Sequence, residues 1–232
     1  MKQVIAMHGW AGEPTQWRAW QRLFESERWQ WTSGDRAYTQ PAPTPLNWSA
    51  SAEQRLVICH SLGFHLLPIS VLSRTTDLVL LGGFSRFIPE GAAGRRQRIG
   101  LNGMHQAIGT EGEQTMLQRF RERVASPLPV SALPPDNLLR GLSVEGRARL
   151  RHDLTLLSTC MGLPKGCPTQ MNVLVLHGDA DAIVSIECHQ QLLRDLEAHL
   201  EAPVQVNVLN ACGHALITPV VLTTVLAWLQ NR

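Results

Sequence analysis

Short apolar runs alternate along this chain with longer segments whose apolar residues recur at helical spacing. Residues 4–7 form the first run, closed by His8-Gly9, and predict a buried strand ending in a loop. Residues 14–25 carry Trp17, Trp20 and Leu23-Phe24 at helical spacing behind Pro14, a residue that suits a first helical turn. A short strand is expected at 30–32, a Pro-rich loop at 37–47, a strand at 55–59 and an apolar helix at 64–72. A fourth strand at 77–81 stops at Gly82-Gly83. Further on, strands at 172–176 and 204–208 alternate with helices at 185–199 and 215–230. Strands in alternation with helices imply an α/β protein whose sheet is mostly parallel, with about six strands and helices on both faces.

Residues 86–162 break that rhythm. They show helical patches at 95–108, 113–124 and 144–159, interrupted by Pro127, Pro129, Pro134 and Pro135, and no strand pattern. We therefore expect residues 1–85 and 163–232 to form one core and residues 86–162 to be an inserted helical cap.

At 232 residues and 44% hydrophobic composition the chain can bury a core without staples. The net charge of +2 gives no reason to expect nucleic acid as a partner. Five cysteines, an odd number with no paired or zinc-like spacing, point to a reducing compartment and no metal site. The apolar start is too short for a signal peptide, and no apolar run approaches the ~20 residues of a membrane span, so a cytoplasmic location is expected.

Three segments carry candidate chemistry, each placed after its own strand. Cys59-His60-Ser61-Leu62-Gly63 lies between a strand and a helix, the setting in which a sharp turn lifts a nucleophilic serine above the sheet edge. His177-Gly178-Asp179-Ala180-Asp181 offers two carboxylates, either of which could equally be a turn or capping residue. Ala211-Cys212-Gly213-His214 places a loop histidine last, which gives the chain order Ser, Asp, His. Acyl transfer also needs two N–H donors aimed at the developing oxyanion. The residue after the serine, Leu62, supplies one, and Trp10 in the His8-Gly9-Trp10 loop supplies the other. Trp10 is also expected to wall an acyl pocket, whereas His60 and His65 read as packing or hydrogen-bonding residues.

Together these motifs resemble the α/β-hydrolase superfamily over nearly the whole chain. Within it, His8-Gly9-Trp10, the Cys59–Gly63 turn and the brief helical insertion resemble the pimeloyl-[acyl-carrier-protein] methyl ester esterases of biotin synthesis. The resemblance implies Ser61, Asp181 and His214 as catalytic triad, choosing Asp181 over Asp179, and Trp10 and Leu62 as oxyanion donors. It implies no cofactor and no metal. Cys59 stands where the pattern has glycine, and Ala215 where proline is common.

Charge is uneven. Residues 86–151 hold eleven arginines, no lysine and six acids, a local excess of +5. A cationic cap suits an acidic acyl carrier protein that delivers the substrate, with Arg121, Arg147 and Arg151 as candidate contacts. The alternative for these arginines is solvated helix faces with partners inside the chain. Two rival functions are a general short-chain carboxylesterase or thioesterase, and a non-catalytic binding protein on the same scaffold.

Overall fold

The structure is a computed structural model that describes residues 1–40, 42–135 and 137–231. Pro41, in the expected Pro-rich loop, Asp136, one of the six acids counted above, and Arg232 lie outside the described residues.

Six strands form one sheet: β1 (Lys2–Met7), β2 (Trp29–Gly34), β3 (Gln54–His60), β4 (Asp77–Leu81), β5 (Asn172–Gly178) and β6 (Gln205–Leu209). Their order is β2-β1-β3-β4-β5-β6 and every pairing is parallel. The central strands are apolar on both faces, as a sheet covered on both sides requires. Alternate residues divide between two cores. Val4, Ala6, Leu56, Ile58, Val79, Leu81, Leu174 and Leu176 pack with Trp17, Trp20, Phe24 and Trp228. Ile5, Met7, Val57, Cys59, Leu78, Leu80, Val173 and Val175 pack with Phe64, Val71, Leu192 and Leu196 on the opposite face.

From β1 the chain steps to β2 on one side, then returns to lay β3 on the other. The loops leaving β1 and β3 therefore diverge and open a crevice at the carboxyl ends of these strands, where ligands bind in sheets of this type. The loop after β1 holds His8-Gly9-Trp10, and β3 ends next to Ser61.

The structure departs from the sequence expectations at two helices near this edge. The apolar helix expected at 64–72 is a 3₁₀ turn (Ser61–Leu66), a break, and a single-turn helix α2 (Ile69–Leu72). Pro68 accounts for the break, since it holds Leu67 extended at φ −77°, ψ 141°. The closing helix begins at Pro219 rather than 215, with the Thr218 hydroxyl accepting from Val221 N–H. Residue 214 therefore lies in a loop well ahead of the helix. The remaining helices are α1 (Arg18–Ser26), α3 (Gly91–Ala107), α4 (Glu113–Ala125), α5 (Val144–Thr159), α6 (Ile186–His199) and α7 (Pro219–Gln230).

Between β4 and β5 the described residues form only helices and turns. Their apolar faces meet Trp10, Tyr38, Leu62 and Phe84 in a third core. A buried ion pair also ties α5 to the loop after β2. Asp153, with no exposed surface, accepts from Arg36 Nε at 2.8 Å and Nη2 at 2.7 Å, and from the Tyr38 hydroxyl at 2.7 Å. Arg149 donates to the Ala37 carbonyl at 2.6 Å, and the Trp10 indole N–H to the Leu150 carbonyl at 3.0 Å. Asp153→Ala would strand Arg36 and the buried Tyr38 hydroxyl. Breaking a buried pair costs about 3–5 kcal/mol, and each kcal/mol shifts the melting temperature by about 2–4 °C at this chain length. A loss of about 10 °C is expected in a thermal melt; a shift under about 2 °C would show that this pair does not hold α5 down.

Candidate active site

Ser61 closes β3 with φ 54°, a left-handed backbone that non-glycine residues adopt rarely and at a cost of about 1–3 kcal/mol. The turn needs glycine at one of its two small positions. A Cβ on Gly63 would sit 2.4 Å from the Met7 carbonyl oxygen, so the 3₁₀ turn can pass β1 only without a side chain there. Position 59 is different. Cys59 is fully buried within the apolar core below the sheet, which explains why a side chain is tolerated where the pattern has glycine.

The loop after β1 approaches just as closely. A Cβ on Gly9 would lie 2.8 Å from Ser61 Cβ. His8 shapes this loop from a fully buried position. Arg36 N–H donates to His8 Nε2 at 3.1 Å, so the proton is on Nδ1, which donates to the Gly9 carbonyl at 2.8 Å. The Trp10 backbone N–H has no acceptor among the described residues. The Leu62 N–H lies in the first turn of the Ser61–Leu66 segment, where backbone donors lack intrahelical acceptors. Two unspent donors thus flank Ser61.

His214 is 1% exposed, and its Nδ1 pairs with Asp181 Oδ2 at 2.7 Å. The other carboxylate oxygen of Asp181 accepts from Ile183 N–H at 2.7 Å and Val184 N–H at 2.9 Å. Burial pushes the Asp181 carboxyl up, but the electrostatic attraction of His214, its hydrogen bond and these two N–H groups outweigh it, and the net shift is downward. Asp179 is exposed and does not touch the histidine ring. Ser61, His60 and His214 line one cavity. The Ser61 hydroxyl makes no hydrogen bond to a described residue; such contacts often tighten only in the substrate complex.

His60 emerges as a support that the sequence marked only as a hydrogen-bonding residue. Its Nε2–H donates to the His214 carbonyl at 2.9 Å, with the two rings 4.7 Å apart. Burial, reinforced by His214, pushes the His60 imidazole down to about 3. Burial similarly pushes His189 down to about 4, stacked on buried His177 at 4.2 Å. Both stay neutral in the native state at pH values where the unfolded chain, with histidines near 6.5, takes up protons. Stability must therefore fall as pH drops from about 6.5 towards 4, by up to about 1.4 kcal/mol per pH unit for each such histidine. The melting temperature is expected to decline steadily over that window, and His60→Gln to flatten the decline. A melting temperature constant from pH 7 to 5 would contradict the buried neutral state of these rings.

The three candidate arginines fare differently from Ser61, Asp181 and His214. Arg147 is committed inside the helical segment, donating to both oxygens of Glu113 at 2.7 and 2.8 Å and to the Leu142 carbonyl. Arg151 donates to the Ile108 carbonyl. Arg121 donates to the Pro134 carbonyl at 3.1 Å and lines the cavity beside Ser61. Arg147 and Arg151 thus have the intramolecular partners of the alternative reading. Arg95, Arg96 and Arg119 are exposed and make no hydrogen bond or ion pair among the described residues.

No protein-family model and no curated protein sequence matches this chain. Solved structures do. An esterase from Exiguobacterium antarcticum superposes with a TM-score of 0.76 at 15% identity, covering 99% of this chain and 92% of that one. A bromoperoxidase from Bacillus anthracis gives 0.71 at 13% identity, covering 100% and 92%. An α/β hydrolase from a Medee basin deep-sea metagenome gives 0.69 at 12%, covering 100% and 90%. The chain has the α/β-hydrolase fold. Among the described residues no helix is long and apolar enough to cross a membrane.

Proposed function

We propose that this protein is a serine carboxylesterase with Ser61 as nucleophile, His214 as base and Asp181 as orienting acid. The observation that carries the reading is one arrangement. A serine in a strained turn shares a cavity wall with a buried histidine whose far nitrogen is held by a carboxylate at 2.7 Å.

The chemistry follows from these positions. Asp181 accepts from His214 Nδ1–H and so leaves Nε2 unprotonated. Nε2 takes the hydroxyl proton as Ser61 Oγ bonds to the ester carbonyl carbon. The oxygen of that carbonyl gains the negative charge and is met by the N–H groups of Trp10 and Leu62. His214 then passes its proton to the alkoxide oxygen as the C–O bond breaks, and the alcohol leaves. Water attacks the acyl-serine by the same route, releasing the acid and restoring Ser61.

We further propose that residues 86–162 act as a cap, and that the substrate is the methyl ester of a dicarboxylate held at its other end on an acyl carrier protein. The local excess of +5 over residues 86–151 supports a negatively charged partner. Because Arg147 and Arg151 are engaged within the cap, the exposed Arg95 and Arg119 are better placed than they are to meet it. An active-site phosphonate should label Ser61, and its failure to label would favour a non-catalytic binding protein. Arg95→Glu with Arg119→Glu should lower kcat/KM for the carrier-held methyl ester and leave a small uncharged aryl ester unchanged. Equal rates on both substrates, insensitive to salt, would favour a general short-chain esterase instead.

A further inference from the structure

Two cavities meet at Ser61. One, of about 120 Å³, is lined by His214 and His60; the other, of about 360 Å³, is lined by Asp181, Arg96 and Arg123. Trp10 and Phe120 border both, edge to face with centroids 4.7 Å apart. They form the partition. Its Trp10 half is pinned by the Leu150 carbonyl.

The direction in which an ester must lie follows from the proton that His214 delivers. The alcohol oxygen leaves only if His214 can reach it. His214 borders the smaller cavity and not the larger, so the alcohol belongs in the smaller one and the acyl chain in the larger. On the wall of the larger cavity the balance of charge is positive. Arg123 is held there by one bond to the Ala182 carbonyl at 2.6 Å and keeps its other guanidinium donors. Arg96 makes no hydrogen bond or ion pair among the described residues. Asp181, the one carboxylate among the described residues on the cavity wall, has both oxygens engaged by His214, Ile183 and Val184.

We propose that the larger cavity takes the acyl chain, and that Arg96 and Arg123 bind an anionic oxygen group, carboxylate or phosphate, carried beyond that chain. This rests on the serine-esterase reading above. It adds the orientation of the ester and a charge requirement on its acyl side. Guanidinium groups suit such anions because they offer paired donors in one plane. The anion has two possible sources: the terminal carboxylate of a free diacid monoester, or the phosphate of a carrier's thioester arm.

Two pairs of methyl esters separate them, used with the 232-residue chain. The first pair is a monomethyl dicarboxylate and the methyl alkanoate of equal length. The second is the monomethyl diacid thioester of 4′-phosphopantetheine and that of pantetheine. The anionic member of at least one pair should be preferred by about tenfold or more in kcat/KM, mostly through KM. Arg96→Gln, and the double variant with Arg123→Gln, should erase that preference and leave the neutral members unchanged. Preference in the first pair identifies the carboxylate, and preference in the second alone the phosphate. Equal rates within both pairs, or equal losses on charged and neutral esters in Arg96→Gln, would overturn the anion site. If no ester is cleaved and phosphonate does not label Ser61, the esterase reading itself fails, and the anion site falls with it.

Discussion

Ser61→Ala is expected to abolish ester hydrolysis, with a loss on the order of 10⁵–10⁶ in kcat. Alanine keeps the Cβ that serine already presents at φ 54°, so the turn meets no new clash and the fold should survive. The hydroxyl is also not a structural hydrogen-bond donor, since it has no partner among the described residues. On the proposed mechanism the lost oxygen is therefore the attacking atom and little else. Turnover of a short-chain aryl ester by a correctly folded Ser61→Ala protein at more than a few per cent of the wild-type rate would remove Ser61 from the mechanism. A circular dichroism spectrum and melting temperature matching the wild type would establish that folding is intact.

Asp181→Asn should cost on the order of 10⁴ in kcat, and Asp179→Asn almost nothing. The asparagine carbonyl can still accept from Ile183 and Val184 N–H, as Asp181 Oδ1 does at 2.7 and 2.9 Å. Its amide NH₂ then faces His214 Nδ1 across the former 2.7 Å contact. Two donors cannot share that line, so the ring shifts its proton to Nε2. The nitrogen that should receive the Ser61 proton is then already occupied. Asp179 is exposed and makes no contact with the ring, so its charge can be removed without changing the tautomer. The comparison needs only steady-state rates for the two variants on one ester. The reverse ranking would assign the orienting role to Asp179.

Much of the architecture was legible in the chain itself. The apolar runs of β1, β3, β4 and β5 are continuous because both faces of the sheet are covered, and their lengths and alternation with helices specify parallel strands. The order Ser61, Asp181, His214, each following its own strand, was also readable, because every strand of a parallel sheet ends at the same edge. Asp181 and Asp179 are alike in local sequence. Resemblance separated them in advance, and in space one meets His214 while the other faces solvent.

Periodicity could not show where helices would break. The segment 64–72 is apolar at helical spacing, but Pro68 holds its predecessor extended and splits it. Nor could it show which polar groups would meet. Asp153 lies more than a hundred positions along the chain from Arg36 and Tyr38, and no local pattern records that the three form one buried cluster. The fate of the arginines in residues 86–151 was equally hidden. Sequence supplied their number and sign, whereas the packing of α4 against its neighbours decided that Arg147 would bind Glu113 while Arg96 and Arg123 would border a cavity that Ser61 also lines. Strands and motifs depend on residues close in sequence, so the chain alone determined them. Ion pairs, cavities and the direction of an ester depend on residues brought together only by folding, and the tertiary structure alone decided those.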